Sequence, residues 1–154
     1  MSLQGRLINL GFNVARDVKH KKVTLTNAQL KALRATPVTL VPAQGTGKIL
    51  EFIGGILKLS GGVNAITETA DNMAVKYTDG SGVAVSQTVE CTGFIDQTAA
   101  TVTSILPVIN AIAAYSAAHN KALVLHNTGD GEWGGNAAAD VTMIASIYYR
   151  VHYF

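Results

Sequence analysis

The sequence predicts a mainly β protein, a jelly-roll-like β-sandwich with one or two short helices and an extended N-terminal arm. Three observations predict it. Apolar and polar residues alternate with a period of two through Met73–Cys91 and again through Val141–Phe154, which marks strands with one buried face. About eight short apolar, β-branched runs are separated by glycine-rich turns, the pattern of a sandwich or barrel. Only two segments read as helix, too few to cover a parallel sheet of that size.

Residues 1–22 read as an arm. Leu3, Leu7, Ile8, Leu10, Phe12 and Val14 are apolar anchors that follow neither a helical nor a strand period. The body is expected over 23–154. Its clearest helix signal follows Thr26, whose hydroxyl can cap Gln29 while Gln29 reaches back, with Leu25 and Leu30 as a hydrophobic staple. Pro37 pushes Thr36 out of the helical region, so the helix is predicted over 27–34. Val38–Val41 is a short strand. Ile49–Leu59 is a long one, interrupted at Gly54-Gly55, where paired glycines predict a bulge or bend. A loop at 61–64 leads to a strand over 65–69.

The segment Met73–Cys91 reads as a hairpin. Val75 and Tyr77 alternate with Ala74, Lys76 and Thr78 before the turn. Val83, Val85, Gln87, Val89 and Cys91 alternate after it. Asp79-Gly80-Ser81-Gly82 between them supplies turn chemistry, the glycines being free to take positive φ. Strands are predicted at 94–96 and 101–106. Pro107–His119 reads as a helix, from proline in the first turn, the alanines, and the spacing of Val108, Ile112 and Tyr115. Ala122–His126 is a strand, 127–140 a glycine-rich loop, and Val141–Phe154 the last strand.

The chain has 154 residues, of which 14% are charged, against roughly 25% in a typical soluble domain. So little charge suits a protein buried in an assembly. Residues 1–34 hold seven basic residues against Asp17 alone, a net +6, while the remainder holds five basic and nine acidic, a net −4. A basic arm on a weakly acidic body predicts an arm that lies on something acidic. With Phe12 as its one aromatic, the arm lacks the stacking residues of a nucleic-acid binder. The first residues, broken by Gly5, Arg6 and Asn9, do not read as a secretory leader, and no stretch has the roughly 20 apolar residues of a membrane span. Cys91, the one cysteine, reads as a small buried apolar residue.

No motif carries catalysis. Gly129-Asp-Gly-Glu-Trp-Gly134 has the spacing of a dinucleotide fingerprint, but the twenty residues after it leave no room for the helix and strand that must follow. Gly45-Thr-Gly-Lys48 lacks the first glycine of a phosphate loop and the Ser or Thr after the lysine. His20, His119, His126 and His152 have no metal-ligand spacing, although Asp130 and Glu132 lie near His126 in sequence. No cofactor and no metal are expected. Trp133, a conspicuous aromatic in a long loop, is a candidate contact residue.

Three phrases carry a family resemblance: Thr26-Asn-Ala-Gln-Leu-Lys-Ala-Leu-Arg-Ala-Thr-Pro37, Ala70-Asp-Asn-Met-Ala-Val-Lys-Tyr-Thr-Asp-Gly-Ser-Gly82, and Ala122-Leu-Val-Leu-His-Asn-Thr-Gly-Asp-Gly-Glu-Trp-Gly-Gly-Asn136. Together they resemble small structural proteins of tailed bacteriophages and prophages, and within that group capsid cement (decoration) proteins, over residues 23 to 154. The resemblance implies a β-rich homotrimer with no enzymatic activity. It would sit on the major capsid protein lattice at the virion surface, after assembly in the bacterial host cytoplasm, without membrane or nucleic-acid partners. Arg6, Leu7, Phe12, Arg16, Lys19, Lys21, Lys22 and Trp133 are the expected assembly contacts. A tail or baseplate component that touches the host surface is the alternative expectation, with Trp133 and its loop as the contact.

Overall fold

The computed structural model describes residues 17–68, 72–109 and 112–154. Ten strands and two short helices follow in order: β1 (Lys19–Leu25), α1 (Asn27–Lys31), β2 (Val38–Val41), β3 (Lys48–Leu59), β4 (Ile66–Thr67), β5 (Asn72–Tyr77), β6 (Val89–Glu90), β7 (Thr101–Ile105), α2 (Tyr115–Ala118), β8 (Leu123–Asn127), β9 (Gly134–Gly135) and β10 (Met143–Tyr153). The mainly β sandwich expected from the sequence is the fold. One four-stranded sheet, sheet A, runs β1-β10-β3-β7; a second, sheet B, runs β2-β8-β5-β6; β4 and β9 form a small separate pair.

The pairings explain the winding. β1 pairs with β10, β2 with β8, β3 with β7 and β5 with β6, all antiparallel. These partners nest like the two limbs of one long hairpin, with Asp79–Gly82 at its tip. Rolling that hairpin brings β10 against β3 and β8 against β5. Strands then alternate between the sheets except at β5–β6, which stay together. This is the jelly-roll-like order, a double Greek key.

Between the sheets lies one apolar core. Leu25, Leu50, Leu57, Met143 and Ile147 line it from sheet A, and Leu40, Met73, Val75, Leu123 and Leu125 from sheet B, none more than 1% exposed. Each such side chain contributes about 1.5–3 kcal/mol by leaving water. The Tyr77 hydroxyl crosses the core and donates to the Leu50 carbonyl (2.5 Å), so its buried polar tip is satisfied.

Helix α1 starts as predicted. Thr26 Oγ1 accepts from Gln29 N–H, and Gln29 Oε1 accepts from Thr26 N–H at 2.9 Å, a complete capping box. The helix stops at Lys31, and turns carry the chain to Pro37. Strand β3 carries the predicted bulge: Tyr148 lies opposite Gly54 and Tyr149 opposite Phe52, leaving Ile53 unmatched.

The hairpin forms, with its second limb distorted. Val85 and Ser86 both donate to the Val75 carbonyl (2.9 and 3.3 Å), which is a β-bulge. Gln87 then donates to the Leu106 carbonyl and Val108 to that of Val85 (2.8 and 3.0 Å). This limb therefore stitches sheet B to the chain leaving sheet A. In the turn, Thr78 rather than a glycine takes positive φ (69°). Gly82 is needed for closeness, since a Cβ there would collide with the Tyr77 carbonyl oxygen.

Four expectations are corrected. Residues 94–96 are a turn, with Phe94 and Ile95 both donating to the Cys91 carbonyl. The helix expected over 107–119 is reduced to Tyr115–Ala118, because Pro107 and Val108 are taken by Ser86 and Val85. The alternation in β5 does not give one exposed face: Ala74 is 1% exposed, as the hairpin turn folds back until Gly80 meets the His126 ring. Lys19–Lys22, expected in the arm over 1–22, belong to β1, paired with Tyr149–Ser146, while residues 1–16 lie outside the described residues.

Gly55 sits tight against β10: a Cβ would lie 2.5 Å from the Ser146 carbonyl oxygen and 3.0 Å from Ile147 Cα. Both are backbone atoms of the longest strand pair. Gly55→Ala is expected to cost about 2 kcal/mol or more, in the range of core overpacking, and to lower the urea midpoint without changing the slope. An unchanged midpoint would show that the ladder can shift to make room.

Candidate contact surface

Among the described residues, two depressions bring together residues singled out above. The first is a groove of about 550 Å³ lined mainly by Ile49, Ile53, Pro107, Val108 and Phe154, with Glu51 and His152 at the polar side. It exists because β7 pairs only with Gly55–Leu59 of β3, so the first half of β3 runs on past its neighbour. Volume and apolar lining place it among ordinary ligand or side-chain sites. Glu51 is occupied: His152 Nε2 lies 2.8 Å from its Oε2, and Arg150 Nη1 lies 3.5 Å away. A carboxylate can only accept, so Nε2 carries the proton of that bond. Burial, and secondarily the charge of Glu51, push the Tyr77 hydroxyl above its ordinary pKa.

Beside this groove the chain leaves large apolar side chains in water. Ile109 is 80% exposed, Ile112 91%, Tyr115 54% and Phe154 76%. Of these, Phe154 lines the groove itself. Val108 lines the groove immediately before Ile109, and the Tyr115 ring packs edge-on to Phe154 at 6.3 Å and stacks on His119 at 4.8 Å. His119 Nε2 accepts from Gly47 N–H (2.7 Å), so its ring proton sits on Nδ1.

The second depression, about 580 Å³, is an open cleft bordered by Arg34, Gly80, His126, Asp130 and Glu132. The sequence placed His126, Asp130 and Glu132 near one another, and the fold keeps them together. Glu132 serves the fold: its two oxygens accept from Arg34 N–H (3.1 Å) and Ala35 N–H (2.7 Å). Burial, then the positive charge of Lys76, hold His126 below the usual histidine pKa. Among the described residues no group of three or more His, Cys, Asp and Glu side chains is placed to hold a metal ion.

The glycine-rich loop after β8 is built around Asn136, which is 1% exposed with φ of 41°. Its Oδ1 accepts from Asn27 Nδ2 (2.7 Å) and its Nδ2 donates to Asp140 Oδ1 (2.7 Å) and the Asn64 carbonyl. One amide thus joins α1, the loop after β3 and the approach to β10.

Trp133 is a correction. It is 3% exposed and belongs to the core, so it is no surface contact; its Nε1 has no hydrogen-bond partner. Lys19, Lys21 and Lys22 are exposed on β1, an edge strand of sheet A. Arg6, Leu7, Phe12 and Arg16 lie outside the described residues. The exposure of these apolar residues was not foreseen: Ile112 and Tyr115 read as helix spacing and Phe154 as the end of a strand. Among the described residues no helix is long and apolar enough to cross a membrane. Set against protein-family models, curated proteins and solved structures, the chain matches none.

His126 sets a pH dependence. Its folded pKa lies below the unfolded value of about 6.5, so the unfolded chain takes up the proton first. The stability it supports is full above about pH 6.5 and is lost as pH falls through the folded pKa. Asp79 and Asp140, both held low by side-chain hydrogen bonds, from Ser81 and Asn136 respectively, add their loss only below about pH 4. Urea unfolding of His126→Gln should show a flatter slope of stability between pH 7 and 5 than the parent chain; equal slopes would remove His126 as the cause.

Proposed function

We propose that the chain is a non-enzymatic structural protein of a tailed-phage virion, a capsid cement protein that binds the major capsid protein lattice and stabilises the shell. The observation that carries this reading is the set of exposed apolar side chains Ile109, Ile112, Tyr115 and Phe154 together with the apolar groove that Phe154 lines. A surface of that kind marks a contact site. The phrase resemblance at 26–37, 70–82 and 122–136 supplies the kind of assembly, and the 14% charged content suits a protein whose surface is largely covered by neighbours. A jelly-roll-like body is also an architecture found in viral capsid proteins.

In this reading the body works by contact. Apolar surface buried against neighbours supplies adhesion, while the exposed lysines of β1 and the basic residues before them are available to acidic surface on the lattice. The polar groups described above hold backbone segments in place. Both the cement reading and the alternative tail or baseplate reading lose Trp133 as a contact residue, since it is in the core.

The test is binding of the full chain to expanded shells of the cognate major capsid protein, read by co-sedimentation and copy number. Many copies spread over the shell are expected; a few copies confined to the tail would overturn the proposal. Removing residues 1–16 spares β1, which begins at Lys19. The shortened chain should keep its unfolding midpoint and bind shells several-fold more weakly. Undiminished binding would take the arm out of the mechanism.

A further inference from the structure

The outer faces of the two sheets differ. In sheet B the outward residues Ala74, Val124 and His126 are buried, closed over by the chain itself. In sheet A the outer face is open. Ala145 and Ile147 of β10 point into the core, while Tyr148 is 45% exposed; Leu57 and Leu59 of β3 point inward, while Ile56 is 47% exposed. The registers lay the outward residues side by side. Lys22 lies opposite Ser146, and Ser146 opposite Ile56. In the next row Ile144 lies opposite Lys58, and Lys58 opposite Val102, which is 67% exposed. The solvent face of an antiparallel sheet is ordinarily polar. This one sets apolar side chains among two lysines that stand two strand spacings, about 10 Å, apart across the sheet.

Charge narrows the occupant. The strands of sheet A hold Lys19, Lys21, Lys22, Lys48, Lys58 and Arg150 against Glu51 alone, six basic minus one acidic for a net +5, whereas Lys76 and Glu90 balance in sheet B. Glu51 is held by Arg150 and His152, so no carboxylate of these strands is left to answer Lys22 or Lys58. Lysines on an edge strand keep other chains from pairing with it, which accounts for β1. It does not account for Lys58, which stands on an inner strand between β10 and β7. Nucleic acid suits the face poorly. Its one tyrosine, Tyr148, already rests against the His20 ring at 4.9 Å, so a stacking platform for bases is lacking.

We infer that the outer face of sheet A is the surface that docks on the shell, and that its counterpart there is an apolar patch rimmed by Asp and Glu side chains. This rests on the cement reading and adds which face is turned to the lattice and what chemistry meets it. Contact at Ile56 and Val102 supplies adhesion, while the lysines fix orientation and speed the encounter.

Co-sedimentation of the full chain with expanded shells of the cognate major capsid protein is the test. Lys22→Glu with Lys58→Glu is expected to bind about tenfold more weakly at about 0.1 M salt. The gap should narrow toward about 1 M, where the screening length has fallen from about 10 to about 3 Å. Val102→Gln should weaken binding at either salt. Lys58→Glu alone should already bind less well, whereas Lys121→Glu, an equal change of charge outside sheet A and just before β8, should bind as the parent does. Should the glutamates disturb the sheet, Lys22→Gln with Lys58→Gln carries the same comparison at smaller amplitude. A double variant that binds like the parent, or a loss at Lys121→Glu as large as at Lys58→Glu, would overturn the inference. So would double-stranded DNA that holds the parent and releases the double variant, an outcome that gives the face to nucleic acid. A parent that binds no shell removes the cement reading and this inference together; a parent that binds while the double variant is unaffected removes this inference alone.

Discussion

The antiparallel ladder between β3 and β10 is the constraint on which the rest of the molecule depends. It pairs Met143 with Leu59 at one end and Tyr153 with Lys48 at the other, and each of its strands is longer than any other. In chain order these two strands belong to different levels of the nested hairpin, so their contact is the one that rolls it. β1 is added on one flank and β7 on the other. The inward residues Leu50, Leu57, Met143 and Ile147 then meet sheet B. The close approach at Gly55 and the bulge at Ile53 show how tightly the pair is fitted.

The ladder also produces the surface on which the functional reading rests. β7 covers only the second half of β3. The first half continues beyond it, and the chain leaving β7 turns away to pair with the distorted limb of the hairpin at Val85–Gln87. The groove is the space left between them. The mismatch in strand length and the bulge that diverts Val85 and Ser86 are thus the structural origin of an apolar recess. The segment that leaves β7 then runs into Ile109 and Ile112. The opposite end is closed differently, by Asn136, whose amide ties three segments that no sheet joins.

Much of this was legible in the sequence because it is local. The capping box at Thr26 and Gln29, the hairpin tip at Asp79–Gly82 and the glycine-marked bulge in β3 each need only neighbouring residues. The period of two in Val141–Phe154 announced the long strand. What the sequence concealed depends on distant partners. Pro107 and Val108 have helical credentials, but Ser86 and Val85 claim their backbone. Trp133 looks exposed in a glycine-rich loop, yet the loop is folded inward by Asn136. Ile112 and Tyr115 look like part of a helix stripe because hydrophobic spacing does not say whether a partner is present. Lys19–Lys22 read as arm because their pairing with β10 spans more than a hundred residues.

Native-state hydrogen exchange tests the central claim most directly. The amides that pair β3 with β10, from Leu50 to Leu59 and from Ala145 to Val151, should exchange only through global unfolding and be the slowest in the protein. Those of β6 and of Val108, Ile109 and Ile112–Ala114 should open at much lower free energy. If the β5–β8 pairing outlasted the β3–β10 ladder, sheet B and not the rolled contact would hold the fold, and the account would be wrong.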